Sequence, residues 1–236
     1  MAPRGPSLIH EPGEVGRRYW SVRRATAPLH RGWLNVQREG LENVPDHGGV
    51  IFAANHLSFI DSVVLMYSCR RQVTFLGKAE YVTMPATRRL FPAAGMIPVD
   101  RSGRGVARSL GLAIDRLRAG EIVGIFPEGT RSRDGLLHEG HVGVAHLALK
   151  SGAPIVPIGI LGTEVAMAPD SIIPRRTPIT VRFGAPIDLG RWTGRRPTGA
   201  VRREITDEVM DAIAALSEQG RSTGPALSRH AYPTAV

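Results

Sequence analysis

Three features of the sequence predict a single α/β domain with a mixed central sheet flanked by helices. Short apolar runs of strand length recur along the chain, segments of helical periodicity separate them, and polar residues gather directly after several of the runs. With 236 residues the chain is long enough to bury a full core without a disulfide framework.

Residues 1–16 are polar with Gly and Pro, which predicts an irregular, flexible arm. The next stretch, RRYWSVRRATAPLHRGW, sets Tyr19, Trp20, Val22, Leu29 and Trp33 among Arg17, Arg18, Arg23, Arg24 and Arg31. Such a mixture of rings and cations suits a membrane interface, and suits equally an amphipathic segment docked on its own domain. Pro28 predicts that any helix here is short. LNVQREG alternates as an exposed strand does, whereas VIFAAN at 50–55 reads as a buried strand bounded by glycines. FIDSVVLMYS predicts a short helix starting near Ser58, whose hydroxyl would cap it. VTFLG is a second core strand, TRRLFPA a short helix interrupted by Pro92, and MIPV a third strand.

The clearest helix covers 103–118, where Val106, Leu110, Ile114 and Leu117 share one face and Gly120 follows as the terminator. EIVGIF is a fourth core strand and runs into the polar loop PEGTRSRDGLLHEG. A helix over 141–150 leads to GAPIVPIGI, whose Pro154 and Pro157 predict an edge or bulged strand. TPITVRFG adds another strand. Val201, Ile205, Val209, Ile213 and Leu216 then mark a C-terminal helix, followed by a flexible tail over 219–236, so that the folded domain is expected over 17–218.

Composition narrows the function classes. A 42% hydrophobic and 22% charged chain is not intrinsically disordered. Thirty basic residues against 21 acidic ones leave a net charge of +9, and Lys78 and Lys150 are the only lysines. The surplus favours an anionic partner: nucleic acid, anionic lipid or a phosphorylated small molecule. Cys69, the single cysteine, excludes an internal disulfide and a cysteine-rich zinc module and agrees with a reducing compartment. No apolar run approaches the roughly 18 residues of a spanning helix, and the N-terminus lacks a signal peptide's apolar stretch, so neither is expected.

Three clusters bear chemistry. In NHLSFID, His56 is a practical general base, and Asp61 is placed to hold its far ring nitrogen if a turn folds the two together. The same spacing also accommodates a core or capping histidine, and Asn55 suits a bridge between loop backbone groups. In GMIPVDR, Arg101 stands just beyond a strand, ready to meet an anion with a bidentate fork or to be solvated. In FPEGTRS, Gly129 makes a sharp turn cheap, Thr130 and Ser132 offer hydroxyls, Arg131 offers a second fork, and Glu128 is suited to a substrate hydroxyl or an arginine. No G-x-S-x-G elbow, Walker loop, H-E-x-x-H or dinucleotide glycine pattern is present, and the spacing of His138, His141 and His146 matches no metal site. Without a protein nucleophile, the substrate is expected to supply it.

Together the clusters resemble the PlsC-like glycerolipid acyltransferases, the family of 1-acylglycerol-3-phosphate acyltransferases. Asn55, His56 and Asp61 match the family's N-H-x4-D block, with Ser58 at a position commonly filled by serine. Gly95, Ile97, Val99 and Arg101 match the second block, Phe126 through Ser132 the third without a gap, and Val156, Pro157 and Ile158 the fourth. GKAEY resembles the segment after the second core strand, where Lys78 looks like a phosphate-holding lysine. The likeness covers about residues 33–190; Pro98 departs from the family's usual aromatic or aliphatic residue, and the N-terminal arm is shorter than the helical hairpin of some members.

The resemblance implies acyl transfer from acyl-CoA or acyl-carrier protein to the 2-hydroxyl of lysophosphatidic acid, forming phosphatidic acid without a cofactor, a metal or a covalent enzyme intermediate. It implies His56 and Asp61 as catalytic residues, with Asn55, Lys78, Arg101, Glu128, Gly129, Thr130 and Arg131 binding substrate. It further implies peripheral attachment to the cytoplasmic side of an anionic membrane. In ATRRLFPAAG, Arg88 and Arg89 beside Leu90 and Phe91 suit the lining of a lipid entrance, where cations meet headgroups, and equally a packed surface helix. The competing readings are an acyltransferase for glycerol 3-phosphate, a glycolipid or another lysophospholipid, and a non-catalytic module binding anionic lipid or nucleic acid, although no nucleic-acid reading element is found.

Overall fold

The computed structural model describes residues 14–80, 90–100, 103–167, 175–222 and 224. Seven strands form one sheet: β1 (Asn35–Glu39), β2 (Val50–Ala54), β3 (Val73–Lys78), β4 (Ile97–Val99), β5 (Ile122–Ile125), β6 (Ile155–Leu161) and β7 (Pro178–Phe183). Their order is β1-β7-β6-β2-β5-β3-β4, and every pair is parallel except β6 with β7, so the sheet is mixed as predicted. The helices are α1 (Glu14–Trp33), α2 (Asp61–Ser68), α3 (Leu90–Ala93), α4 (Gly103–Arg118), α5 (Gly143–Ser151), α6 (Thr163–Ala166) and α7 (Gly199–Ser217).

Side-chain alternation along β2 divides the core. Ile51 and Ala53 pack on the face covered by α4, α5 and α7, together with Leu117, Leu147 and Ile205. Val50, Phe52 and Ala54 point to the opposite face, with Val64 and Leu65 of α2, Phe75 and Ile158. Because both faces are covered, all five residues of β2 are buried, which is why the strand reads as an unbroken apolar run.

α4 occupies the predicted residues, although Val106 of its apolar stripe is exposed. Four expectations are corrected. Pro28 does not shorten α1, which runs for 20 residues and begins inside the predicted arm. The first half of the helix is docked on the domain: Tyr19 is fully buried against Met66, and its hydroxyl accepts from the Val73 N–H at 3.2 Å. Ser58 does not cap α2. The helix starts at Asp61, and the Ser58 hydroxyl donates to the Met167 carbonyl at 2.8 Å. β6 is central rather than an edge, between β2 and β7. Pro154 precedes the strand, and Pro157 faces β7 just past the end of the ladder, where its carbonyl accepts from the Gly184 N–H, so its missing donor breaks no rung. Finally, the described residues past α7 stay with the domain: Gly220 and Ser222 bond to Leu137, and Gly224 to Glu139.

Candidate active site

β2 and β5 are parallel neighbours whose register ends at Ala53 with Ile125, so Asn55-His56 and the turn 126–132 emerge side by side at the carboxyl ends of the strands. Open α/β sheets hold their ligands at such ends. The five-residue gap between His56 and Asp61 is closed by a turn in which the Asp61 N–H donates to the Ser58 carbonyl at 3.3 Å. The His56 Nδ1 then lies 2.8 Å from Asp61 Oδ2, and that oxygen also accepts from the Leu57 and Ser58 N–H groups, each at 2.8 Å. Asp61 has no exposed side-chain surface, whereas His56 keeps 20%. A carboxylate that only accepts requires the proton on Nδ1, which leaves Nε2 as the ring's basic nitrogen.

The imidazole is braced from below. Phe126 stacks on it with centroids 4.0 Å apart, and Phe75 stacks on Phe126 at 5.8 Å. Gly124 makes this column possible, because a Cβ there would stand 2.3 Å from the Phe75 ring. The backbone is held as well: the Ser132 N–H donates to the His56 carbonyl at 2.7 Å, and the His56 N–H donates to Glu128 Oε1 at 3.3 Å.

Glu128 turns inward and is 3% exposed. Its second oxygen accepts from the His138 N–H at 3.0 Å, so the carboxylate pins two backbone segments together instead of presenting an edge to solvent. Burial pushes its carboxyl up to about 7, against the opposing pull of the His138 and His56 N–H groups. Gly129 adopts φ 69°, and the His141 ring sits where its Cβ would be, at 2.9 Å. Thr130 and Arg131 are half-buried at the rim of this turn.

The remaining predicted residues separate. Asn55 is fully buried, its amide exchanging two hydrogen bonds with Ile160 of β6 at 2.8 and 2.7 Å and donating a third to Gln219 at 2.8 Å; it is a brace beneath the site, the backbone bridge its amide suggested, where the resemblance had implied a substrate contact. Lys78 is exposed at the end of β3, opposite Val99 of β4. Arg101, Arg88 and Arg89 lie outside the described residues. Reading by motif missed Phe75, His138 and Gln219; Gly124 inside an apolar strand was the one local signal of the aromatic column. Among the described residues no three His, Cys, Asp or Glu side chains gather as metal ligands.

A family model described as Acyltransferase matches residues 35–161. The chain is 37% identical over 145 residues to a 1-acyl-sn-glycerol-3-phosphate acyltransferase of Limnanthes douglasii, covering 61% of this chain and 52% of that protein. It is 34% identical over 126 residues to a protein of the same name from Borreliella burgdorferi, covering 53% and 50%. The chain thus spans about half the length of these curated relatives. Among solved structures, the 1-acyl-sn-glycerophosphate acyltransferase PlsC of Thermotoga maritima shares the fold, with a TM-score of 0.64 at 24% identity over 86% of this chain and 78% of that one.

Proposed function

Because the chain belongs to the Acyltransferase family, whose model spans β1 through β6 and the whole His56 site, we propose that it moves an acyl chain from a thioester, acyl-CoA or acyl-carrier protein, to the 2-hydroxyl of 1-acylglycerol 3-phosphate. One observation carries the reading: a histidine locked by Nδ1 onto a buried carboxylate at 2.8 Å, with no protein nucleophile in its motif. The names of the curated relatives support the choice of acceptor.

His56 Nε2 takes the proton of the acceptor hydroxyl as that oxygen attacks the thioester carbonyl, while Asp61 holds the imidazolium that forms. The tetrahedral oxyanion collapses, the C–S bond breaks, and His56 returns the proton to the departing thiolate. An N–H aimed at the oxyanion contributes about 3–4 kcal/mol in such reactions. Glu128 serves by holding the His56 backbone. Lys78, Arg101 and Arg131 take the acceptor's phosphomonoester, whose charge is close to −2 at neutral pH.

α1 supplies the membrane contact in this reading. Arg17, Trp20 and Arg24 are exposed and share one side of the helix, while Tyr19 is buried against the domain. Arg23 bridges the two sides, its guanidinium 5.1 Å from the Trp20 centroid and 5.5 Å from that of Tyr67. Among the described residues no helix is long and apolar enough to cross a membrane.

The test is thioester consumption by purified protein with lysophosphatidic acid, glycerol 3-phosphate and water as separate acceptors, with product masses determined. Transfer to lysophosphatidic acid that falls by about 10²-fold or more in H56A is expected. Near-normal transfer by H56A would sink the assignment, and rapid thiol release with water alone would replace it with a thioesterase.

A further inference from the structure

We infer that the segment after α7, residues 219–222 with Gly224, is a strap that holds the His56 loop at its working height, and that Gln219 is a positioning residue for the transfer. The inference rests on the acyl-transfer reading above. None of these residues falls within the stretch matched by the family model.

The strap begins where α7 ends. Glu218 takes φ 59° and its carboxylate pairs with Arg182 at 2.6 Å, which turns the chain back across the carboxyl end of the sheet. Gln219 then spans two elements. Its Oε1 accepts from Asn55 Nδ2 at 2.8 Å, and its Nε2 donates to the Gly135 carbonyl at 2.8 Å. One amide thereby ties the exit of β2, one residue before His56, to the loop that follows β5.

Beyond Gln219 the strap pairs in parallel with 137–139. The Leu137 N–H donates to the Gly220 carbonyl at 2.9 Å, the Ser222 N–H to the Leu137 carbonyl at 2.8 Å, and the Glu139 N–H to the Gly224 carbonyl at 3.2 Å. Extended backbone points alternate N–H groups to opposite sides. With Leu137 and Glu139 committed to the strap, the N–H of His138 between them is aimed the other way, at Glu128 Oε2, while Glu128 Oε1 holds the His56 N–H. The strap therefore reaches His56 by two routes, through Asn55 and through Glu128. A tail that merely covered apolar surface would need an apolar residue at 219; an amide used as both donor and acceptor, each at 2.8 Å, indicates registration.

Steady-state transfer by the full chain is compared for wild type, H56A, Q219M and Q219E, with thermal midpoints and amide exchange at Leu137 and Glu139 measured on the same samples. Transfer by the wild type that is lost in H56A establishes the parent reading, so that the Gln219 variants test the strap alone. Q219M is expected to lose roughly ten-fold in kcat with KM little changed, since positioning affects the chemical step, and to keep its midpoint within about 2 °C. Q219E retains the acceptor for Asn55 but sets a carboxylate oxygen against the Gly135 carbonyl, and is expected to fall with Q219M. Exchange at both amides should rise in both variants. Wild-type kcat in Q219M, a loss confined to KM, or unchanged exchange at both amides overturns the strap. Absence of transfer in the wild type overturns the parent reading, and the exchange measurements then still decide whether the strap holds the loop.

Discussion

Asp61 Oδ2 accepts from the His56 ring and from two backbone N–H groups, so the carboxylate is oriented before the histidine is. An asparagine there would either present its N–H2 to those donors or turn the wrong group toward the ring. D61N is therefore expected to lose about 10²-fold or more in kcat, read by single-turnover transfer, while its folded fraction by circular dichroism is retained. Glu128 gives a pH signature of its own. Its carboxyl is raised from the ordinary 4.5 to about 7, so the folded chain holds the proton more tightly than the unfolded one. The resulting stabilisation is complete below about 4.5 and is lost as pH rises to about 7, roughly 3 kcal/mol in all. Urea unfolding at about pH 5 and about pH 8 checks this, and E128Q should remove that slope. The same variant leaves one backbone N–H facing an amide N–H2, for an expected loss of about 1–3 kcal/mol at the lower pH.

Between elements, the joint of β2 and β6 depends on a side chain. Asn55 continues the ladder past Ala54 by exchanging bonds with the N–H and carbonyl of Ile160, as another strand residue would. N55A would leave both buried groups unpaired, and an expected destabilisation of about 2–4 kcal/mol, with an unchanged denaturant slope, is measurable by urea titration. The elements differ in how readable they were. α4 declares itself through the stripe Leu110, Ile114 and Leu117, because helical periodicity is local. The central place of β6 was hidden, because two prolines suggest an edge unless the side that each missing N–H faces is known. Asn55 was hidden for a related reason: its partner lies 105 residues away.

For the whole molecule, the net charge of +9 acquires a direction through α1. Arg17 and Arg24 flank Trp20 on an exposed side of the helix, which makes this helix the surface expected to meet anionic lipid. Each basic residue near such a surface contributes about 1 kcal/mol, so R17A/R24A is expected to weaken partition into vesicles containing an anionic phospholipid roughly thirty-fold at low salt. Co-sedimentation measures it, with the difference shrinking as salt rises. Transfer to a dispersed short-chain acceptor should be unchanged, since neither arginine belongs to the site.

The sequence alone determined the α/β class, the order of most elements and the residue types at the carboxyl ends of β2 and β5, because hydrophobic period and motif spacing are properties of neighbouring residues. Its spacing permitted His56 and Asp61 to pair, and the turn at Ser58 seen in the structure brings them together. Tertiary structure decided the partners of Glu128, Asn55 and Gln219, and with them which motif residues face outward and which serve as braces. The physical reason is that these partners are mostly backbone N–H and carbonyl groups. Every residue carries the carbonyl and all but proline the N–H, so only the fold selects which of them a buried carboxylate or amide meets.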